Sequence, residues 1–210
     1  MESLTIVSLL IGAYLLGSIP TAVWWGKRYY GIDVREFGSG NAGATNTFRV
    51  LGKKAGIPVL IIDILKGSFS VLLAYLSPFE IGSNQYVNLQ LGLGVASLVG
   101  HVFPIFAGFR GGKGVATILG VVICLTPITS LLVLLVFLTV LLATRYVSLS
   151  SMTAGVSFPI FLNLVLKNEN QTLMVFSFVV AVLLIITHKK NIGRLLKHQE
   201  TKVNLFAKKA

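Results

Sequence analysis

Seven stretches of the chain are almost wholly apolar: residues 4–25, 56–77, 87–107, 115–127, 129–146, 151–166 and 171–188. Polar residues collect between them. Apolar runs near the roughly 20 residues that a hydrocarbon core requires predict membrane-spanning helices. The fourth to sixth are short for a span, and Thr126-Pro127 predicts a tight turn between the fourth and fifth. The pattern predicts an all-α integral membrane protein with seven transmembrane helices, residues 1–210 forming one polytopic domain. Only segment 26–55 and the tail are long enough to carry structure outside the bilayer.

Composition points the same way. Charged residues make up 12% of the 210 and hydrophobic residues 54%, against about 25% charged in soluble proteins. So few charges would not cover a soluble surface. Disorder, a coiled coil and a disulfide scaffold are excluded as well. The only cysteine, Cys124, sits in an apolar run. The N-terminus, with Glu2 and no basic residue before its long apolar run, reads as a retained span and not a cleaved leader.

The net charge of +11 orients the chain. Sixteen of the 18 basic residues follow the first, third, fifth and seventh apolar runs. They include Lys27, Arg28, Arg35, Arg49, Lys53 and Lys54, then Arg110 and Lys113, then Arg145, and a tail from Lys189 to Lys208 and Lys209. The opposite side has only Lys167, and Lys66 lies within the second run. The excess of Lys and Arg on cytoplasmic loops predicts the N-terminus outside and the C-terminus in the cytoplasm. Removing one span would scatter the charges over both sides.

Two of these basic loops are rich in glycine. The first runs Phe37-Gly-Ser39-Gly-Asn41-Ala-Gly43-Ala-Thr45-Asn46-Thr-Phe-Arg49. Gly38, Gly40 and Gly43 fit G-x-G-x-x-G, but no strand precedes them and no βαβ unit surrounds them, so a dinucleotide fold is rejected. Glycines at positive φ can aim backbone N–H groups at one anion. Ser39, Thr45, Asn41 and Asn46 add neutral donors, and Arg49 adds a fork suited to phosphate. The plain alternative is a connecting loop. The second loop, Gly108-Phe-Arg110-Gly111-Gly112-Lys113-Gly114, resembles a nucleotide P-loop but fails it, with Ala107 and Gly114 at two required positions. It places a lysine among glycines where an apolar helix starts, a setting that favours an anion.

Three further places carry polar residues. Ser148, Ser150 and Ser151 beside Arg145 would either cap the sixth helix or donate to a ligand phosphate. His188 and Asn191 are i,i+3 neighbours in a helix, near Arg194. Asp63 and Lys66 are also three apart, within an apolar run, and pair on one face, either bracing the bundle or serving function. Some chemistries are missing. No His-x-x-x-x-Asp and no Gly-x-Ser-x-Gly elbow occurs. His101, His188 and His198 are scattered without acidic partners, so no metal site or cofactor is expected. The loops offer many anion donors and no evident base or nucleophile.

These segments, in their order and spacing, resemble the PlsY-type bacterial acyl-phosphate:glycerol-3-phosphate acyltransferases. The likeness runs nearly end to end, through Gly17-Ser-Ile-Pro20, Gly38 to Asn46, Asp63-Ile-Leu-Lys66-Gly67, Gly100-His-Val-Phe-Pro104, Gly111 to Thr117, Arg145-Tyr-Val-Ser148 and His188-Lys-Lys-Asn191. It implies seven helices in the bacterial inner membrane and a cytoplasmic-face site. It implies transfer of an acyl group from acyl phosphate to the 1-hydroxyl of sn-glycerol 3-phosphate, the first step of phospholipid synthesis. By motif match, Ser39 and its glycine neighbours hold the acyl-phosphate phosphate. Arg49, Lys113, Ser151, His188 and Asn191 hold glycerol 3-phosphate, and Glu200 matches a structural acid. The expected catalytic residues are therefore Ser39, Arg49, Lys113, His188 and Asn191. The expected substrate-binding residues are Gly38, Gly40, Asn41, Gly43, Thr45, Asn46, Gly111, Gly112, Gly114, Ser148 and Ser151. Two positions depart from the family pattern: Arg110 replaces a common lysine, and His198 replaces a common glycine two residues before Glu200.

An acyl phosphate is already activated, so no covalent intermediate is required. The work is to gather two anions and an acyl chain and to orient the attacking hydroxyl. The rival readings are a transporter of a phosphorylated anion, for which buried Asp63 and Lys66 would speak, and an acyltransferase using a thioester donor. Nucleic acid is not an expected partner, because topology accounts for the basic residues.

Overall fold

The structure, a computed structural model, describes residues 2–203. Lys208 and Lys209 of the expected basic tail lie outside them. Among the described residues every regular element is helical. The chain divides into two compact units, one ending at Thr126 and the other starting at Pro127.

The first unit contains α1 (Glu2–Gly17), α2 (Thr21–Tyr30), α3 (Ala44–Leu51), α4 (Lys53–Leu72), α5 (Asn84–Val102) and α6 (Val115–Leu125). The first apolar run is not one helix. It breaks at Ser18–Pro20, and α1 and α2 meet at 40°. Pro20 brings no N–H, and its ring disfavours helical backbone in the preceding residue, so the break falls there. Segment 26–55 is likewise not an open loop, since it contains the end of α2, all of α3 and the start of α4.

The helices of this unit approach closely through small residues. A Cβ on Gly120 would run into the Ile64 carbonyl, and one on Gly67 into that of Thr117, which brings α4 and α6 together. Gly17 against Ser97 and Gly100 against Tyr14 do the same for α1 and α5. Small residues at crossings are how helices pack where lipid supplies no hydrophobic drive between them.

One buried polar cluster ties these helices. Lys66 Nζ lies 3.0 Å from Asp63 Oδ1 and donates to the Ile19 carbonyl at 2.9 Å. Thr21 Oγ1 donates to the same Asp63 oxygen at 3.0 Å. The pair expected from the i,i+3 spacing is thus present, and it holds the α1–α2 break against α4.

The second unit contains α7 (Pro127–Thr144), α8 (Val147–Pro159), α9 (Gln171–Thr187) and α10 (Lys189–Leu196). The turn expected at Thr126-Pro127 separates α6 from α7. Past Pro159 the chain continues as a π-helical stretch, Ile160–Val165. The last apolar run turns by 58° at His188. Along α7 only Thr129 and Ser130 are buried, a distribution suited to lipid contact.

Four helical spans are long and apolar enough to cross a membrane: Lys53–Leu76, Asn84–Ala107, Pro127–Thr144 and Val147–Val165. There are six if each bent pair, α1 with α2 and α9 with α10, counts as one span. The expected fourth span, 115–127, is an 11-residue helix, about 16 Å long at 1.5 Å per residue.

Candidate active site

In the first unit, the two glycine loops fold differently: the first is exposed and the second is tucked against the end of α5. After α2 the Asp33 carboxylate accepts the Arg35 N–H at 3.0 Å, which starts a 3-10 turn over Val34–Glu36. Gly38 (φ 62°) and Gly40 (φ 72°) follow at positive φ, whereas Gly43, the third glycine of the pattern, is extended at φ −122°. Asn46 stabilises this turn from within. It is buried, its Oδ1 accepts the Ser39 N–H at 2.8 Å, and its Nδ2 donates to the carbonyls of Val34 (2.8 Å) and Phe37 (3.1 Å). The Asn46 amide thus holds the loop's own backbone. Ser39, Gly38, Gly40 and Thr45 are exposed, and Asn41 and Gly43 half-buried. Arg49 is brought to the same place. A Cβ on Gly38 would lie 3.3 Å from Arg49 Cδ, so the stem of Arg49 passes the loop with its guanidinium exposed.

The second glycine loop doubles back over the end of α5. The N–H groups of Gly111 and Gly112 donate to the carbonyls of Val102 (3.1 Å) and His101 (3.2 Å). Side chains are excluded there: a Cβ on Gly111 would strike the His101 carbonyl, and one on Gly112 the His101 imidazole. Gly114, at φ 82°, opens α6. Lys113 is half-buried between two buried glycines.

Sequence reasoning counted Arg35 only as a topological charge, yet it joins the two loops. Its Nε and Nη2 donate to the two Asp33 oxygens at 3.0 and 2.7 Å. Its Nη1 donates to the carbonyls of Ala107 (2.8 Å) and, at longer range, Arg110 (3.4 Å). The guanidinium's hydrogen bonds hold the Asp33 carboxyl well below the usual carboxylate range, outweighing burial. The signal available in the sequence was Asp33-x-Arg35 just ahead of a glycine run.

In the second unit the polar residues gather around Glu200. Ser148 Oγ donates to its Oε1 at 2.9 Å, Asn191 Nδ2 to the same oxygen at 2.6 Å, and Arg194 Nε to Oε2 at 2.6 Å. Burial pushes the Glu200 carboxyl up. The hydrogen bonds from Arg194, Asn191 and Ser148 outweigh it and leave the group below its ordinary value. The expected cap on this helix is not made. Tyr146 stands at its start without a side-chain cap, while Ser150 and Ser151 donate back to the carbonyls of Tyr146 and Val147, each at 2.8 Å. His188 is buried, with Nδ1 at 2.7 Å from the Leu184 carbonyl. A carbonyl only accepts, so Nδ1 carries hydrogen. His188 sits at the bend before α10 and not in a continuous helix; Asn191 lies one turn on, its N–H donating to the His188 carbonyl at 2.8 Å. His198 takes φ 55°, the left-handed conformation that glycine would supply. Among the described residues, no group of three His, Cys, Asp or Glu side chains is arranged to hold a metal ion.

Known proteins resemble this chain over nearly its whole length. A family model described as Glycerol-3-phosphate acyltransferase matches residues 7–198. A glycerol-3-phosphate acyltransferase of Bacillus cytotoxicus is 48% identical over 201 residues, 96% of each chain. One of Chlorobium phaeobacteroides is 40% identical over 227 residues, covering 95% of this chain and 97% of its own. Two crystal structures of PlsY, described as an integral membrane glycerol 3-phosphate acyltransferase, are each 42% identical. The glycerol 3-phosphate form has a TM-score of 0.83 and covers 95% of this chain and 96% of that one. The lysophosphatidic acid form has a TM-score of 0.81 and covers 95% of both.

Proposed function

The chain belongs to the glycerol-3-phosphate acyltransferase family, and we propose that it transfers a fatty acyl group from acyl phosphate to the 1-hydroxyl of sn-glycerol 3-phosphate without a covalent acyl-enzyme. What carries this reading is the end-to-end likeness to PlsY, whose two solved forms are described by glycerol 3-phosphate and by lysophosphatidic acid. That pair is the substrate and product of one O-acylation.

Acyl phosphate suits the loops of the first unit. A thioester donor needs activation of the attacking alcohol, usually by a His-x-x-x-x-Asp pair, which the sequence lacks. A mixed anhydride needs its phosphate held and its leaving group stabilised. In this reading Ser39 and the backbone around Gly38, Gly40, Asn41 and Gly43 bind the donor phosphate. Thr45 and Asn46 support them. Arg49 and Lys113, with Gly111, Gly112 and Gly114, bind glycerol 3-phosphate. Within the second unit, Ser148, Ser151, His188 and Asn191 are the residues this reading assigns to hydrogen bonds with glycerol 3-phosphate.

The hydroxyl oxygen attacks the acyl carbonyl carbon and the carbon–oxygen bond to phosphate breaks. The departing phosphate takes the hydroxyl proton, giving lysophosphatidate and inorganic phosphate. Cationic groups offset the repulsion of two anions and stabilise charge growing on the leaving oxygen. No cofactor enters this scheme.

The same reading makes residues 1–210 one polytopic domain of the bacterial cytoplasmic membrane. It has seven spans, including short α6 and the apolar runs 4–25 and 171–188, with the N-terminus outside and the C-terminus in the cytoplasm. The basic residues support it, since 16 of 18 then fall on the cytoplasmic side.

The test is phosphate release by purified protein in lipid supplied with palmitoyl phosphate and glycerol 3-phosphate. Release that needs both substrates and is lost in Ser39→Ala and Lys113→Ala is the expected result. No release, with uptake of labelled glycerol 3-phosphate into liposomes, replaces the enzyme with a transporter.

A further inference from the structure

Arg35 lies between the two glycine loops of the first unit and takes part in both. Its carbonyl sits beneath the first, 3.4 Å from where a Cβ on Gly40 would stand. Its Nη1 reaches across to the Ala107 and Arg110 carbonyls at the start of the second. The side chain is 15% exposed, and the Asp33 carboxylate fixes its plane through two hydrogen bonds. Lys27 adds a second cation 3.3 Å from Asp33. A planar, bidentate fork leaves the guanidinium little freedom to rotate. Its remaining N–H groups therefore point in one direction, at the second loop.

Each loop has its own internal scaffold. Asn46 shapes the first, and the carbonyls of His101 and Val102 shape the second. Neither set of bonds uses the Arg35 side chain. What depends on Arg35 is the placement of one loop relative to the other, and so of Ser39 relative to Lys113.

We infer that Arg35, clamped by Asp33, is a positioning residue for acyl transfer: it sets the spacing of the two glycine loops while touching neither substrate. The inference rests on the function proposed above. With the donor phosphate on the first loop and glycerol 3-phosphate held by Arg49 beside that loop and Lys113 on the second, reaction requires the glycerol hydroxyl and the acyl carbon within attack distance. A displacement of about 1 Å at such a site costs on the order of 100-fold in rate. Donor binding on the first loop survives, so the loss falls on kcat and on the KM for glycerol 3-phosphate, and not on the KM for palmitoyl phosphate.

The experiment measures kcat and both KM values for full-length protein in lipid with palmitoyl phosphate and glycerol 3-phosphate, beside the melting temperature. Arg35→Gln is expected to lower kcat by about 10- to 100-fold and leave the KM for palmitoyl phosphate near wild type. Arg35→Lys, which keeps the charge but loses the fork, is expected to be similarly impaired. Added methylguanidinium is expected to restore part of kcat to Arg35→Ala without raising its melting temperature. If the Arg35 variants fail to fold, Asp33→Asn is the second route, with a smaller fall in kcat and the same unchanged KM for palmitoyl phosphate. A kcat within twofold of wild type in Arg35→Gln, or in Asp33→Asn by that route, overturns the inference. So does a raised KM at unchanged kcat, which marks Arg35 as a substrate contact. Wild-type protein that releases no phosphate from palmitoyl phosphate overturns the functional reading, and the inference with it.

Discussion

The Ser39 N–H donates to the side-chain oxygen of Asn46, seven residues later, at 2.8 Å. That one bond closes the first glycine loop onto the helix that follows it. The two amide hydrogens of Asn46 reach back to Val34 and Phe37, so a single buried side chain satisfies three backbone groups.

Asn46 is therefore expected to be needed for the loop's shape. Asn46→Ala removes three hydrogen bonds, leaving the Val34 and Phe37 carbonyls only the N–H groups of Phe37 and Gly40, at about 1 kcal/mol for each bond lost. Asn46→Asp keeps the acceptor for Ser39 but sets a carboxylate against two carbonyls. Both should lose acyl transfer and lower the melting temperature, with Asn46→Asp no milder than Asn46→Ala. Wild-type activity in either variant would refute this.

Arg49 should behave in the opposite way. It is exposed, and surface truncations away from buried contacts change stability by within about 0.5 kcal/mol. If it binds a substrate phosphate, Arg49→Ala should lose activity by ~10- to 100-fold, the size of one charge-assisted hydrogen bond, at an unchanged melting temperature. A large melting shift would mean a structural task instead.

Glu200 links stability to pH. Its carboxyl lies below its ordinary value of 4.5 in the folded protein. A depressed carboxylate stabilises fully above the unfolded value, and that stabilisation fades as pH falls through the folded one. The melting-temperature gap between wild type and Glu200→Gln should be constant near neutrality and narrow below about pH 4.5. A gap that widens on acidification would contradict the sign.

His198 holds a backbone conformation that strains a residue with a Cβ. The Gln199 N–H donates to the Arg194 carbonyl at 2.7 Å, closing a glycine-type helix stop with His198 at its left-handed position. Relief of about 1 kcal/mol is expected from His198→Gly, read as a raised melting temperature with acyl transfer retained. A lowered melting temperature would show that the imidazole makes a stabilising contact.

Asp63→Ala should be among the most damaging changes in the first unit. It strands Lys66 in a buried site, and breaking such a pair costs about 3–5 kcal/mol. The double variant Asp63→Leu/Lys66→Met should recover much of that. A double variant no more stable than Asp63→Ala would show that the Ile19 carbonyl and Thr21 need the pair.

Much of this was legible in the sequence because membrane proteins announce their spans. Apolar runs located α1, α4, α5, α7, α8 and α9, and the i,i+3 rule paired Asp63 with Lys66. Glycine spacing foretold the positive φ at Gly38 and Gly40. Less legible was anything set by contact between distant segments. Periodicity does not say that Pro20 breaks the first run, or that His188 bends the last. It reads Ser148 as a possible cap, whereas the hydroxyl is drawn to Glu200, 52 residues away. Arg35 looked like one cation among 18, because its partners Ala107 and Arg110 are backbone carbonyls, which leave no mark in residue type. His198 shows the converse: the turn persists although its glycine does not, since the hydrogen bonds of Arg194 and Gln199 impose it.

The ion pair beside Ile19 has a consequence for how the chain is made. Synthesis delivers α1 and α2 to the bilayer before α4, so until Lys66 arrives the Ile19 carbonyl at the kink has the Thr21 N–H, 3.0 Å away, and no charged donor. The segment carrying Asp63 and Lys66 then arrives with two charges that lipid resists. Neither half is comfortable alone, and each supplies what the other lacks. Docking of α4 is thereby rewarded in one register, since a slip of one residue carries the ammonium away from the Ile19 carbonyl. The pair thus fixes the register in which α4 closes on the break between α1 and α2.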